Sequence, residues 1–378
     1  MLKVVHVHTD LKFLDETERF NRPWFENTIV IIGKKKPYDE FYSNQAILVS
    51  HSSADLAKVV TICSGADVVV LYDLDYVKSY LALKIPRNIT IAWRFFGYEL
   101  YNRTSMVGYL SANSLKFHKR RKDIEMISEY KKVIAKFISR ATRRPDPENI
   151  FADAMKRIDL FLGLSKYEYD HLTQTWNSLP PFVQAPFSCE TSKRHSTIND
   201  NLVIVGNSRS IYNNHIDVID LIEKTKHSNE MSFLIPFSYG DENYYTNEIR
   251  RRVDITRQNI VLLETFMPRE SYFELITKAK AAVSNSYRQL GMGNIFEFIN
   301  AGMKIYLSNH NVIYQWFIDL GLRVYTIENF GSDLESNDLE LSSQDKDWNC
   351  RVLKQMASTF SQEQFVIEMR DVVRKKTG

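Results

Sequence analysis

The stretch NIVLLETFMPRESYFELITKAKAAVSNSYRQLGMGNIFEFINAGMKIYLSN, residues 259 to 309, alternates two kinds of periodicity. NIVLLE, AAVSNS and KIYLSN are short apolar runs suited to buried strands, and the segments between them fit amphipathic helices. The order is strand, turn, helix, strand, Gly-rich turn, helix ending in Ala-Gly, strand. That is the grammar of a parallel sheet wrapped by helices. Gly291 and Gly293 bare the backbone just before a helix that opens near Asn294, so the turn offers unpaired N–H groups and a positive dipole end to a diphosphate. Arg288 sets a fixed cation in front of it. Two plainer readings stay open: Arg288 as a surface ion-pair partner, and Glu297 as a solvated residue on the helix face.

Outward from this block the same grammar repeats. Lys3 to His8, Thr28 to Ile32, Ala46 to Ser50, Asp67 to Leu71 and Ile89 to Trp93 read as strands of a first α/β unit, which resumes with LFLGLS from Leu160 and FVQAPF from Phe182. SCETSKRHSTINDN, 188 to 201, is nearly free of apolar residues and reads as a linker. LVIVG, residues 202–206, then opens a second unit, with a helix over roughly 214–226 and a strand in MSFLIPF from Met231. The expected organisation is therefore residues 1–190, 201–345, and a helical tail 346–378 that is a candidate to pack back on the first domain. At roughly 150 residues per domain, 378 residues suit two domains.

Composition narrows the class. Apolar residues are 44% and charged residues 25%, with 13 Gly and 10 Pro, which is ordinary for a globular chain and excludes a disordered or collagenous one. Three scattered cysteines, Cys63, Cys189 and Cys350, offer neither a disulfide framework nor zinc-site spacing, so a reducing cytoplasm is the default. MLKVVHVHTDLKF has the features of a strand rather than those of a signal or transit peptide, and no apolar run approaches 18 residues. The net charge of +3 conceals an uneven distribution: from Lys116 to Arg144 eleven Lys or Arg stand against three acids.

Candidate site residues cluster at strand ends. After the first strand of the second unit, Gly206 permits a tight exit from the sheet, Asn207 and Ser208 supply neutral donors, and Arg209 could neutralise a phosphate. The same Asn-rich loop also reads as a simple helix cap. In the first unit His8 and Asp10, Asp73 and Asp75, and Arg94 and Glu99 follow strands, and one carboxylate or His among them could serve as base for a hydroxyl. His8, Asp10, Asp73 and Glu99 are the catalytic candidates. Each has a structural reading beside the catalytic one. Paired acids without further ligands are a weak metal signal, and none is expected.

Four stretches carry a family resemblance: VGNSRSIYNNHI from Val205, IPFSYGDENYYTNEIRRRV from Ile235, RQLGMGN from Arg288, and AWRFFGYELY from Ala92. Together they resemble the glycosyltransferase family 56 4-alpha-L-fucosyltransferases, the type that includes TDP-N-acetylfucosamine:lipid II N-acetylfucosaminyltransferase. The resemblance is sharp there and diffuse over nearly the whole chain. It implies a GT-B fold, α/β with two Rossmann-like domains facing a cleft, and a nucleotide-sugar donor on the C-terminal one. It also implies a polyprenyl-diphosphate-linked glycan as acceptor, in surface polysaccharide synthesis. Gly206, Asn207, Ser208, Arg209, Arg288, Gln289, Gly291, Gly293, Asn294 and Glu297 are then the donor-binding candidates, with Glu297 toward the nucleotide ribose. The transferred sugar would be a fucose-like or N-acetylfucosamine-like deoxysugar, and retention of configuration is favoured. No cofactor is expected beyond the donor itself, because such enzymes replace metal with basic residues and helix dipoles. Phe96 and Glu99 depart from the family's Trp and Asp, and Gln289 stands where the wider retaining group has a second Glu.

A lipid-linked acceptor cannot leave the bilayer, so the basic stretch acquires a role. Its cations interleave with Phe117, Ile124, Ile127, Ile134 and Phe137, as in helices that lie on anionic headgroups. Lys119, Arg120, Arg121 and Lys122 are the membrane-binding candidates, placing the protein peripherally on the inner face of the cell membrane. Nucleic acid is not expected, since no recognition motif accompanies the patch. A merely solvated basic face is the alternative. Two other functions stay open: a nucleotide-sugar epimerase of the same build, and a catalytically silent binding subunit.

Overall fold

Apolar runs too short for helices and too continuous for half-exposed strands become two all-parallel sheets whose central strands are buried on both faces. The computed structural model describes residues 1–20, 23–33, 45–120, 146–186, 201–226 and 230–377. These fall into two units, described residues 1–103, 146–186 and 357–377 in the first and 104–120 and 201–356 in the second.

The first unit contains β1 (Leu2–His8), β2 (Phe25–Ile32), β3 (Ile47–Val49), β4 (Val68–Tyr72), β5 (Thr90–Arg94), β6 (Leu160–Gly163) and β7 (Phe182–Gln184). They pair in the order β3-β2-β1-β4-β5-β6-β7. The run VVVLY of β4 is buried at every position, as a central parallel strand requires. Successive strands run outward from β1 to β3, and the chain then returns to the other side of β1. The topological switch point therefore lies beyond the carboxyl ends of β1 and β4, where open α/β sheets hold their ligands.

The second unit repeats the plan with β8 (Leu202–Val205), β9 (Ser232–Pro236), β10 (Asn259–Leu263), β11 (Ala281–Ser284), β12 (Lys304–Leu307) and β13 (Tyr325–Thr326), in the order β10-β9-β8-β11-β12-β13. Its switch point lies beyond β8 and β11. β13 is absent from the sequence reading because two residues are too few to show a period.

Two segments cross the linear division. Residues 104–120, placed by the sequence reading in the first domain, pack with the second unit, and Leu110 is part of that unit's core with Val203, Ile216 and Phe233. The terminal helix Gln362–Thr377 packs with the first unit, burying Phe365, Val366, Met369 and Val373 beside Val4, Val68 and Leu160. The linker read at 188–201 lies outside the described residues except for Asn201. Among the described residues no helix is long and apolar enough to cross a membrane.

Close packing at the end of β6 is testable. A Cβ on Gly163 would stand 2.8 Å from Cε2 of Phe182 and 3.0 Å from Cε1 of Phe161. Gly163→Ala should therefore cost about 1–3 kcal/mol through overpacking, read as a lower urea midpoint with an unchanged slope.

Candidate functional site

Both switch points carry the residues singled out from sequence, but with different chemistry. In the second unit the strand β8 ends at Gly206, whose φ of +69° suits glycine and whose backbone lies against the ring of His215 and the carboxamide of Asn213. Asn213, 2% exposed, closes the loop on itself: its Oδ1 accepts from the N–H of Asn207, and its Nδ2 donates to the carbonyl of Ser208 at 2.9 Å. The Asn-rich segment is thus a self-braced loop.

After β11 the chain turns at Gly291, again left-handed at φ +68°, and enters the helix Met292–Asn300. A Cβ on Gly291 would fall 2.7 Å from Nδ2 and 2.8 Å from Cγ of Asn207, so the two loops meet there. Gly293, one turn position on, has nothing within 4 Å of where its Cβ would be. Gly206, Asn207, Gly291 and Asn294 line a shared crevice between these loops. Asn294 donates from Nδ2 to the hydroxyl of Tyr272, whose own ionisation burial pushes up to about 12.

The charged candidates divide. Arg288 is 6% exposed, which removes the surface ion-pair reading, and its guanidinium lies 3.8 Å from the ring centroid of Tyr212. Ser286 and Asn311 hold its carbonyl at 2.9 Å each. Arg209 turns the other way: it donates from Nε to the carbonyl of Phe237 at 2.7 Å and pairs with Glu242, which Arg250 also holds. Ser208 is buried in the loop. Gln289 keeps a buried Oε1 with no hydrogen-bond partner among the described residues, and Glu297 is half-buried on the helix.

In the first unit the switch point gathers Thr9, Asp73, Asp75 and Lys78. Asp73 has a φ of +65°, a strained conformation for a residue with a side chain, and is 1% exposed. Lys78 is fully buried, with Nζ 2.8 Å from Asp73 and 3.1 Å from Asp75, and it also contacts Thr9. Burial raises the Asp73 carboxyl above its ordinary range while the Lys78 ammonium opposes this, and Tyr98 is hydrogen-bonded to it. Glu99 receives the indole N–H of Trp93 and the backbone N–H of Phe96, each at 3.2 Å, on Oε1. Its Oε2 is buried without a partner, and burial pushes the carboxyl up to about 7.

Two further first-unit candidates make their hydrogen bonds outside that group. Asp10 is exposed and caps the 3-10 segment Leu11–Arg19 by accepting from the N–H of Lys12. His8 stacks on Tyr72 at 3.9 Å and lies 3.2 Å from the Thr17 hydroxyl. Burial, followed by the nearby His6 and Lys78, keeps His8 well below the ordinary imidazole range. Sequence reasoning missed Lys78 and Tyr98. Spacing could have signalled Lys78, since it follows the helix-capping Asp75 by one helical turn. Of the basic stretch, Arg121 and Lys122 lie outside the described residues, while Lys119 and Arg120 are exposed at the end of the helix Ala112–Lys119. Among the described residues no group of three or more His, Cys, Asp or Glu is placed to hold a metal ion.

Comparison with known proteins adds chemistry to this geometry. Residues 177–363, about half of the chain, match the family model described as 4-alpha-L-fucosyltransferase glycosyl transferase group 56. No curated protein sequence matches the chain. Among solved structures, an alpha-glucosyltransferase in complex with UDP-glucose and DNA containing an abasic site is similar at a TM-score of 0.58 and 13% identity, covering 99% of each chain. The lipopolysaccharide outer core galactosyltransferase WaaB, in its apo form, aligns at 0.56 and 12%, covering 99% of this chain and 100% of its own. The alpha,alpha-trehalose 6-phosphate synthase of Burkholderia multivorans aligns at 0.56 and 8%, covering 99% of each chain. At these identities the likeness is one of fold, and the fold is GT-B.

The buried Glu99 makes a pH prediction. Its folded pKa of about 7 lies above the unfolded carboxylate value of about 4.3, so the folded state keeps a proton that the unfolded state releases. Stability from this group is full below the unfolded value and is lost as pH rises through about 7. His6, which burial lowers to about 4, and His8 act in the opposite sense, gaining stability as pH rises. Those histidines are common to wild type and Glu99→Gln, so the difference between the two proteins isolates the glutamate. Urea unfolding at pH 4.5 and 7.5 should show wild type losing stability relative to Glu99→Gln over that interval; parallel profiles would contradict it.

Proposed function

We propose that this GT-B glycosyltransferase takes a nucleoside-diphosphate sugar with its diphosphate against the Gly206–Asn207 and Gly291–Asn294 turns. The observation that carries the reading is the meeting of two left-handed glycine turns at the β8/β11 switch point beside an open helix N-terminus. A side chain at Gly291 would strike Asn207, whereas Gly293, in the first turn of a nine-residue helix, has open space over its Cβ position. Such a terminus stabilises the charge that grows on a departing diphosphate, and Arg288 adds a fixed positive charge nearby. Nucleotide-sugar use also agrees with the UDP-glucose bound by the alpha-glucosyltransferase of similar fold.

The acceptor reading is a hydroxyl of a polyprenyl-diphosphate-linked glycan, handled by the first unit. Asp73 with Tyr98 and the unpartnered Oε2 of Glu99 are the groups to orient or deprotonate it. Asp10, a helix cap, and His8, held neutral by burial, are better suited to structural roles. The sugar would be a fucose-like deoxysugar, transferred with retention and without a metal or other cofactor. Lys119, Arg120, Arg121 and Lys122 would hold the enzyme on the anionic inner face of the membrane, at on the order of 1 kcal/mol per cation.

Two experiments test the reading. Products should be analysed with a panel of nucleotide sugars, with and without a lipid-linked acceptor: transfer is expected, and isomerisation or binding alone would overturn it. Co-sedimentation should show binding to anionic vesicles that weakens with salt and is lost when the four cations become Gln; equal binding to neutral vesicles would refute the membrane role.

The donor site makes its own prediction. Gly293→Ala should leave thermal stability unchanged or slightly raised, because alanine suits a helical position with open space above it. It should nevertheless weaken nucleoside-diphosphate binding, because the added methyl occupies the path of the phosphates. Arg288→Ala should lower affinity by about 10- to 100-fold, the equivalent of one charge-assisted contact. Calorimetry on folded variants checks both.

A further inference from the structure

Residues 104–120 lie outside the matched family region, yet they are bonded to the loops of the donor site. We infer that Asn214 and Asp217 are positioning residues for the donor site, through which the segment 104–120 fixes the two diphosphate-binding loops. This rests on the donor-site reading above and goes beyond it by making a distant stretch of chain part of the site.

Asn214 is the junction. It is fully buried and left-handed at φ +52°, between the loop after β8 and the helix His215–Lys224. Its Oδ1 accepts from the N–H of Ser111 at 3.0 Å. Its Nδ2 donates to the carbonyl of Asn285 at 2.8 Å and to that of Tyr109 at 3.3 Å. One carboxamide therefore ties together the 104–120 segment, the β8 loop and the first residue after β11. Tyr109 also meets Tyr212 edge to face at 6.5 Å, and Tyr212 carries the Arg288 guanidinium.

Asp217 anchors the segment. The helix Ala112–Lys119 has no side-chain cap from its own Ser111. Asp217 caps it from another element, accepting from the N–H of Asn113 at 2.8 Å and the N–H of Ser114 at 2.9 Å, and from the hydroxyls of Ser114 at 2.8 Å and Ser111 at 2.5 Å. Charge-assisted bonds to a helix N-terminus are among the stronger ones available. With that cap in place, Ser111 presents its N–H to Asn214, and the carboxamide is held where it reaches Asn285. Without it, β8 and β11 stay paired, but the carboxamide that joins the loops beyond them loses its fixed position.

The test uses the full chain and, as probe, whichever of UDP, GDP or dTDP wild type binds most tightly. Asn214→Gly preserves the left-handed backbone while deleting the carboxamide, and Asp217→Ala removes the cap. Each should weaken nucleotide binding by about 5- to 30-fold, in the range of coupling between communicating sites, and raise donor KM similarly with kcat changed less than about twofold. Ile222→Ala, which loosens the same helix without touching either loop, should lose thermal stability yet keep nucleotide affinity. Gly291→Ala reports on the donor site itself. If Gly291→Ala loses binding while Asn214→Gly and Asp217→Ala bind as wild type, the inference is overturned and the donor site stands. An equal loss in Ile222→Ala overturns it as a mere stability effect. Wild-type affinity in Gly291→Ala would overturn the donor site and this inference with it.

Discussion

A missing side chain at Gly291 is the constraint on which the donor half depends. Parallel strands that reverse their order leave a gap beyond β8 and β11, and the loops leaving those strands must share it. Asn207 already occupies one side, with Nδ2 2.7 Å from where a Cβ on residue 291 would stand. Glycine resolves the collision and supplies the left-handed turn that starts the helix at Met292. The helix terminus, the crevice and the stacked Arg288 all take their positions from that approach.

The first unit solves a different problem at the same topological place. There the gap beyond β1 and β4 holds buried charge, and Lys78 keeps two aspartates together. Removing one partner of such a group leaves uncompensated charge in the interior, at a cost of roughly 3–5 kcal/mol. Asp73 is held at its left-handed φ by the Lys78 ion pair on its side chain and by its own N–H bonded to the carbonyl of Arg94 at 3.0 Å. Asp73 joins an unusual backbone conformation to burial at a strand end, whereas Glu99 is buried in the short helix Tyr98–Tyr101 and Asp10 is exposed.

The GT-B fold was legible because parallel strands are buried on both faces and so appear as unbroken apolar runs; every strand read from sequence overlaps one in the structure. The Gly-rich turn at 288–294 was legible for the same reason, standing between two such runs. Partnership was not legible. Arg209 and Arg288 look alike in sequence, but one is held by Glu242 and the other stacks on Tyr212, and only the paths of the 237–243 and 285–291 loops decide which. His8 and Asp10 are neighbours in sequence, yet His8 closes the buried strand β1 while Asp10 stands beyond it as the exposed cap of Leu11–Arg19. Residues 104–120 were misplaced because their cap, Asp217, is over a hundred positions away, beyond the reach of local pattern.

That last misplacement bears on how the matched region works. A nucleotide site carried wholly by residues 177–363 would need only its own loops, braced by Asn213 within the first of them. The second loop has its own brace, the Ser286 hydroxyl donating to the carbonyl of Arg288. Its link runs from Asn285 through Asn214, and Asn214 divides its bonds between that carbonyl and the backbone of Tyr109 and Ser111. A buried carboxamide with one of these partners removed would be left unsatisfied, at about 1–3 kcal/mol, so the three segments hold one another in place. The same segment continues, through Lys116, Lys119 and Arg120, into the most basic stretch of the chain. That stretch is therefore continuous in sequence with the segment that is bonded to Asn214.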